Sequence, residues 1–237
     1  MATPVPKART TDPNVSEIAA LIGDPARAAM LFALLDGQEL PASELAFRGG
    51  VSAQAASAHL GKLVAADLIL ARSSGRQRLF KVVSADVAYA MEALATIARP
   101  ARLVALTQNT AMQRLREARS CYDHLAGRIG VTLTDSLIRK QAITLRDDAF
   151  SLGRKGESLF SKLGIDVCRE RENRRSFARA CLDWTERRPH LAGSLGASLL
   201  TFLIADGWLT RNKHDRALHI TPRGYTEFKR RFEIEST

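Results

Sequence analysis

Four side chains in the second half of this 237-residue chain are of the types that bind soft metals or respond to oxidants: Cys121, His124, Cys181 and His190. Cys121 and His124 stand three positions apart, which on a helix puts both on one face, at the spacing of two ligands to one metal ion. Cys181 or His190 would supply a third. Against this, no CxxC or HxxxH pair exists, and Cys121 and Cys181 do not coincide when the two stretches are aligned. The same cysteines could serve as thiol sensors, because Arg179, Arg187 and Arg188 give Cys181 the electropositive company that activates a thiol. Tyr122, Trp184 and Trp208 could line a small-molecule pocket or simply fill a core. These four residues are therefore effector, thiol or metal candidates. No cofactor is assigned, and a metal ion and a small-molecule effector both stay open. The odd cysteine, Cys168, fits no disulfide framework, and free thiols are expected.

Catalytic chemistry is not expected. The chain has no GxSxG, HExxH, GxGxxG or phosphate-binding glycine loop, and none of its five histidines has a convincing nucleophile partner. The charge points elsewhere. A net charge of +10 favours a polyanionic partner. Residues 1–100 hold 10 Lys/Arg against 9 Asp/Glu, so a nucleic-acid contact in that half must come from local charge. From Arg48 to Val83 there are six basic residues and one acid, Asp67. No apolar run approaches a membrane span, and the polar, Pro-rich start has no signal-peptide core, so a cytoplasmic protein with no membrane partner is expected.

The elements that would position these charges are legible from periodicity. Residues 14–22 carry apolar side chains at Val15, Ile18, Ala19 and Ile22, with Asn14 and Glu17 spaced as a capping box. Asp24 and Pro25 open a second helix that stops at Gly37 and buries Ala29, Met30, Phe32 and Ala33 or their neighbours. A short helix from Ala42 to Phe47 ends at Gly49 and Gly50, and Ser52 opens the next. Helix, tight glycine turn, helix is the helix-turn-helix pattern. Val51, Ala56, Leu60, Leu63 and Val64 would be buried. Ser52, Gln54, Ser57, Ala58, His59 and Lys62 are the candidate DNA contacts on this helix. Its small residues let the backbone approach base edges, Lys62 would meet phosphate, and His59 is either a phosphate donor or a structural contact beside Leu60. Two β-rich segments around Ser73–Gly75 then form a basic hairpin with Arg72, Arg76, Arg78 and Lys81, placed to lie along phosphates. Ser84 opens a further helix, broken at Pro100. That helix is apolar on more than one face and, with the first, is the candidate dimer interface.

The motifs GDPARAAML, SELA, VSAQAASAHLGKL and the GR of the basic hairpin resemble those of ArsR/SmtB-type winged-helix repressors over residues 14–99. The resemblance implies a homodimeric repressor on a double-stranded, palindromic operator, released by an effector that is often a metal. Where such sensors bind metal, this chain reads Glu44–Phe47 without a Cys pair, and Asp86 and Glu92 alone make no zinc site, so those positions carry no metal function. Stretches such as CYDHLAG and CLDWTERRPHLAG also occur in long ArsR-type proteins, extending the resemblance along the chain.

The second half repeats itself: the 22 residues from His124 match those from His190 at nine positions, and Gly156 and Phe160 then align with Gly224 and Phe228. Each copy reads as helix, strand, turn (Asp147–Asp148, then Lys213–Asp215), strand, helix. The Arg-rich stretch 169–179 reads as a solvated helix. The expected fold is mainly α with small β-wings: a flexible start (1–13), an N-terminal winged helix-turn-helix (14–99), a linker helix (100–118), and a C-terminal domain (119–237) of two degenerate winged-helix-like repeats, about 120–164 and 181–232. The expected function is a sequence-specific DNA-binding transcriptional regulator. The competing class is a winged-helix adaptor for protein partners, against which the basic hairpin argues.

Overall fold

The computed structural model describes residues 13–98, 106–147, 149–212 and 215–235. Most of the flexible start, the helix break at Pro100 and three turn residues, Asp148, Lys213 and His214, lie outside them. The first unit runs α1 (Val15–Ile22), α2 (Pro25–Ala33), β1 (Leu40–Pro41), α3 (Ala42–Gly49), α4 (Ala53–Ala65), β2 (Ile69–Ser74), β3 (Gln77–Val82) and α5 (Ala85–Ile97). Caps set these boundaries. The Asp24, Ser52 and Ser84 side chains accept from the backbone N–H of Arg27, Ala55 and Asp86. Asn14 does not cap, because its side chain is engaged with Ser16 and Glu17 instead. The second helix ends at Ala33, with a turn on to Gly37; it buries Met30 as expected, together with its neighbour Leu31, while Ala29, Phe32 and Ala33 are half-buried.

Met30, Leu31, Leu34, Leu45, Ala56, Leu60, Leu63, Phe80 and Met91 form this unit's core, which joins α2, α3 and α4 to the hairpin β2–β3 and α5. The periodicity missed β1: Leu40 and Pro41 pair antiparallel with Phe80 and Leu79 and turn the hairpin into a three-stranded sheet. Proline is tolerated there because the strand is at the sheet edge. Arg27, a buried cation, fastens α1 by donating to the carbonyls of Leu21 and Ala20.

The second unit begins with α6 (Leu106–Glu117) and then repeats one order twice. It runs β4 (Arg119–Cys121), β5 (His124–Ala126), α7 (Gly127–Arg139), β6 (Ile143–Arg146), β7 (Ala149–Leu152) and α8 (Gly156–Ser161). After the connecting α9 (Val167–Arg171) come β8 (Arg179–Leu182), β9 (Pro189–Ala192), α10 (Gly193–Ala205), β10 (Leu209–Arg211), β11 (Leu218–Ile220) and α11 (Pro222–Phe232). Each half opens with a hairpin where a helix was expected. The helices start only at Gly127 and Gly193, whose φ of +80° and +82° end the preceding strand. A Cβ at either would lie 2.7 Å from the Arg116 carbonyl oxygen or 2.5 Å from that of Ser176. The Arg-rich stretch is helical only to Arg171, and Arg175 beyond it pairs with Asp123.

The strands are exchanged between halves. The first half's β6–β7 hairpin joins β8–β9 of the second through Ala149 and Arg179, giving a four-stranded sheet in the order β6-β7-β8-β9. The second half's β10–β11 hairpin reaches back to β4, where Arg119 bridges Ala217 and the Leu218 N–H donates to the Ala118 carbonyl. One core serves both halves. It includes Leu125, Leu133, Phe150 and Phe160 from the first and Leu191, Leu199, Trp208 and Phe228 from the second.

Asp183, in the β8–β9 loop and without solvent exposure, pins the halves together. Its carboxylate accepts from the Arg119 guanidinium at 3.0 Å, the Gly127 N–H at 2.7 Å, and the Thr185 N–H and hydroxyl. Burial alone would raise its pKa. Arg119 and these donors outweigh burial and hold it well below the usual carboxylate range. Arg119 is equally buried and lies over the Trp184 ring. A second buried pair, Arg216 with Glu92, ties the C-terminal unit to α5.

Gly193→Ala should destabilise the protein by about 2–4 kcal/mol in denaturant unfolding, from a positive φ and a backbone clash together. Gly75→Ala, with positive φ but open space around it, should cost only about 1 kcal/mol. Asp183→Asn strands Arg119 and should cost about 3–5 kcal/mol. Because the folded carboxyl titrates lower than the unfolded one, its contribution is full above the ordinary carboxylate range and is lost as pH falls through its folded value. The variant's stability should therefore fall less steeply with acid than the parent's.

Candidate nucleic-acid interface and a buried cysteine–histidine cluster

Ser52, Gln54, Ser57, Ala58, Gly61 and Lys62 are all exposed along α4, opposite the buried Ala56, Leu60 and Leu63. Ser52 is also the N-cap, so its oxygen is committed to the Ala55 N–H. His59 turns the other way. Its Nδ1 lies 3.3 Å from Arg27 Nη1 and 3.8 Å from Asp24, so it braces α4 against the start of α2 rather than facing outward. The hairpin β2–β3 follows this helix with Arg72, Arg76 and Arg78 exposed. They are not equivalent. Arg72 forms a bidentate pair with Glu39, at 2.5 and 3.2 Å, which spends its charge locally. Arg78 lies over the Phe80 ring, and Arg76 stands in the two-residue turn at the tip.

In the C-terminal unit the structure brings Cys121, His124, Cys181 and His190 together, with one donor atom from each within 4.8 Å of all the others and every side chain buried. Cys121 and His124 are not on a helical face. They are cross-strand partners on β4 and β5, and Cys181 and His190 are cross-strand partners on β8 and β9. The two pairs thus occupy matching places in the two hairpins. Linear alignment hides this because one hairpin turns in two residues, Tyr122 and Asp123, with Tyr122 at φ +61°, while the other carries a longer loop containing Asp183. The two sulfurs are 3.9 Å apart, and the two imidazoles stack with centroids 5.1 Å apart. His124 Nδ1 is hydrogen-bonded to Asp123 at 3.3 Å, and His190 Nδ1 lies 3.5 Å from Asp183 without forming a hydrogen bond.

The electrostatics oppose the thiol-sensor reading. Hydrogen bonding to Cys181 and burial push the Cys121 thiol up to about 12, where almost no reactive thiolate exists at neutral pH. Burial holds the His190 imidazole below its ordinary value. Cys181 is enclosed despite its arginine neighbours, and Cys168 is the exposed thiol. The aromatic candidates separate. Trp208 is wholly core, and Tyr122 packs on Tyr89 of α5. Trp184, with Phe32, Ala95, Met112 and Arg216, lines a cavity of about 730 Å³ between the two units.

Among the described residues no helix is long and apolar enough to cross a membrane. A MarR-family model matches residues 24–78, the stretch from the cap of α2 through the tip of the hairpin. Solved structures superpose on about a third of the chain. They include reduced HlyU from Vibrio cholerae N16961 (26% identity, 36% of this chain and 90% of that one, TM-score 0.33) and NolR from Sinorhizobium fredii (28%, 37% and 86%, 0.33). The HTH-type transcriptional regulator YdfF of Bacillus subtilis (strain 168) is 39% identical over 224 residues, which is 94% of this chain and 99% of that protein. With that identity running through both units and the exposed helix and hairpin of the first, the chain belongs to the winged helix-turn-helix transcriptional regulators.

Proposed function

We propose that the protein is a homodimeric repressor of the ArsR type that binds a palindromic operator and is released by an effector acting through the C-terminal domain. The observation that carries the DNA contact is the exposed, small and polar face of α4 beside the Arg76 tip of the hairpin. Gln54 can pair with an adenine edge, Ser57 with a base or phosphate, and Lys62 with a phosphate. Ala58 and Gly61 let the helix backbone approach the groove. Arg76 lies along phosphates or enters the minor groove, while Arg72 and His59 hold the frame through Glu39 and Arg27.

Dimerisation is supported by apolar side chains left in solvent on α1 and α5: Val15 at 69% exposure, Ile18 at 36%, Leu94 at 40% and Ile97 at 79%. Such residues are covered when a second copy packs on them, and twofold symmetry suits a two-half-site operator. The C-terminal domain is read as two degenerate winged units that have traded their wings.

Fluorescence anisotropy against the intergenic DNA upstream of the gene, over a salt series, checks the interface. Changing Gln54, Ser57 and Lys62 together to alanine should abolish specific binding. Arg76→Ala should weaken binding to all sequences and reduce the salt slope by about 1. Sequence-blind binding unaltered in the triple variant would favour a protein-interaction adaptor. Leu94→Glu with Ile97→Glu should give a monomer in analytical ultracentrifugation, with binding reduced to that of a half-site.

A further inference from the structure

We propose that Cys121, His124, Cys181 and His190 form a closed tetrahedral site for a divalent cation of the zinc class, clamping the two halves of the C-terminal domain together. The donor set is the S₂N₂ combination that suits such an ion. Its geometry already fits. Two thiolates at about 2.3 Å from a tetrahedral metal lie about 3.8 Å from one another, against 3.9 Å between the Cys121 and Cys181 sulfurs. A disulfide would need these sulfurs to close to about 2.05 Å.

Two further observations point to a ligand. His124 Nε2 and both ring nitrogens of His190 are buried with no hydrogen-bond partner. Buried ring nitrogens without a partner are costly unless something accepts their lone pairs. Each imidazole also has a carboxylate beside Nδ1, Asp123 at 3.3 Å and Asp183 at 3.5 Å, which leaves Nε2 as the nitrogen that would ligate. A carboxylate behind the imidazole is the usual outer support of a metal-bound histidine, fixing its tautomer and ring orientation.

The position defines the role. One cysteine and one histidine come from β4–β5 and the other two from β8–β9, so the ion would join hairpins 60 residues apart. With four protein donors and no exposed edge, no coordination position is left for substrate, which is the mark of a structural site. The ring of His124 also meets Tyr89 of α5 at 6.4 Å between centroids, placing the clamp directly behind the helix that carries Leu94 and Ile97.

The test uses the untagged full chain, purified under reducing conditions. Elemental analysis should find about one zinc per chain. After chelation, one equivalent of Co²⁺ should give the intense visible bands of a tetrahedral ion with a thiolate charge-transfer band, both displaced by Zn²⁺. Chelation should lower the thermal midpoint by more than about 5 °C. Cys121→Ser with Cys181→Ser should lose the charge-transfer band, and His190→Gln should weaken the visible bands. The cobalt titration of the unmutated chain stands even where a variant fails to fold. A reduced wild-type chain that carries no metal and gives no tetrahedral cobalt spectrum would overturn the proposal, as would a spectrum unchanged in a folded double-serine variant. Metal content is read without DNA, so failure here and failure of the operator reading are separable.

Discussion

A carboxylate without access to water needs partners on every side, and Asp183 obtains them from both halves of the C-terminal domain. Arg119 comes from the first strand of one half, the Gly127 N–H from the first residue of that half's long helix, and Thr185 from its own loop. Removing either charge would leave the other buried and uncompensated, a penalty far above what a surface pair ever contributes. The constraint therefore fixes where β8–β9 sits on α7, and His190 with it. It also propagates. Arg119 is close enough to Glu92 to help hold that carboxylate ionised, and Glu92 is bound to Arg216, which lies over the Phe32 ring of α2. A line of alternating buried charges thus runs from the middle of the C-terminal domain into the unit that carries α4.

The first unit was far more legible in the sequence than the second, for identifiable reasons. Asp24, Ser52 and Ser84 announce helix starts by local chemistry, and the burial of Ala56, Leu60 and Leu63 follows from a period that one helix displays on its own. The exposed face of α4 could be read as the complement of that pattern. His59 could not be separated from it, because its partners, Arg27 and Asp24, lie more than thirty residues away along the chain. Arg72 is a similar case: nothing adjacent to it says that Glu39 will bind its guanidinium. In the C-terminal unit the four metal-type residues were visible, but their arrangement was not. Cys121 and His124 at a separation of three suit a helix turn as well as a two-residue hairpin, and only the positive φ values at Tyr122 and Gly127 decide between them. Cys181 and His190, nine apart, carry no spacing signal, since a loop of any length can close a hairpin once its strands are paired.

The helix α5 packs against both units. On one side Ala88 and Met91 complete the core of the first unit. On another, Tyr89 receives the Arg179 guanidinium at 3.9 Å and packs on Tyr122 and His124, while Glu92 takes Arg216. Leu94 and Ile97, toward its far end, remain in solvent. A shift of the C-terminal hairpins would therefore move α5 as a lever rather than deform it, because packed cores slip between discrete arrangements more readily than they bend. The cavity lined by Phe32, Ala95 and Trp184 opens along the same helix.

The trading of hairpins between the two halves also bears on how the protein is made. Ser120, at the start of the first half, finds its hydrogen-bond partner in Arg216, 96 residues later. Neither half completes the four-stranded sheet from its own strands, and one core serves both, so the two halves of the C-terminal domain must close together. The first unit is different, since its sheet and its buried core residues all lie between Met30 and Met91. Contacts of long sequence separation form late, and domains fold as units in the order of their synthesis. The winged helix-turn-helix unit can thus close its core from nearby strands and helices, whereas the C-terminal domain must wait for partners up to 96 residues further along the chain.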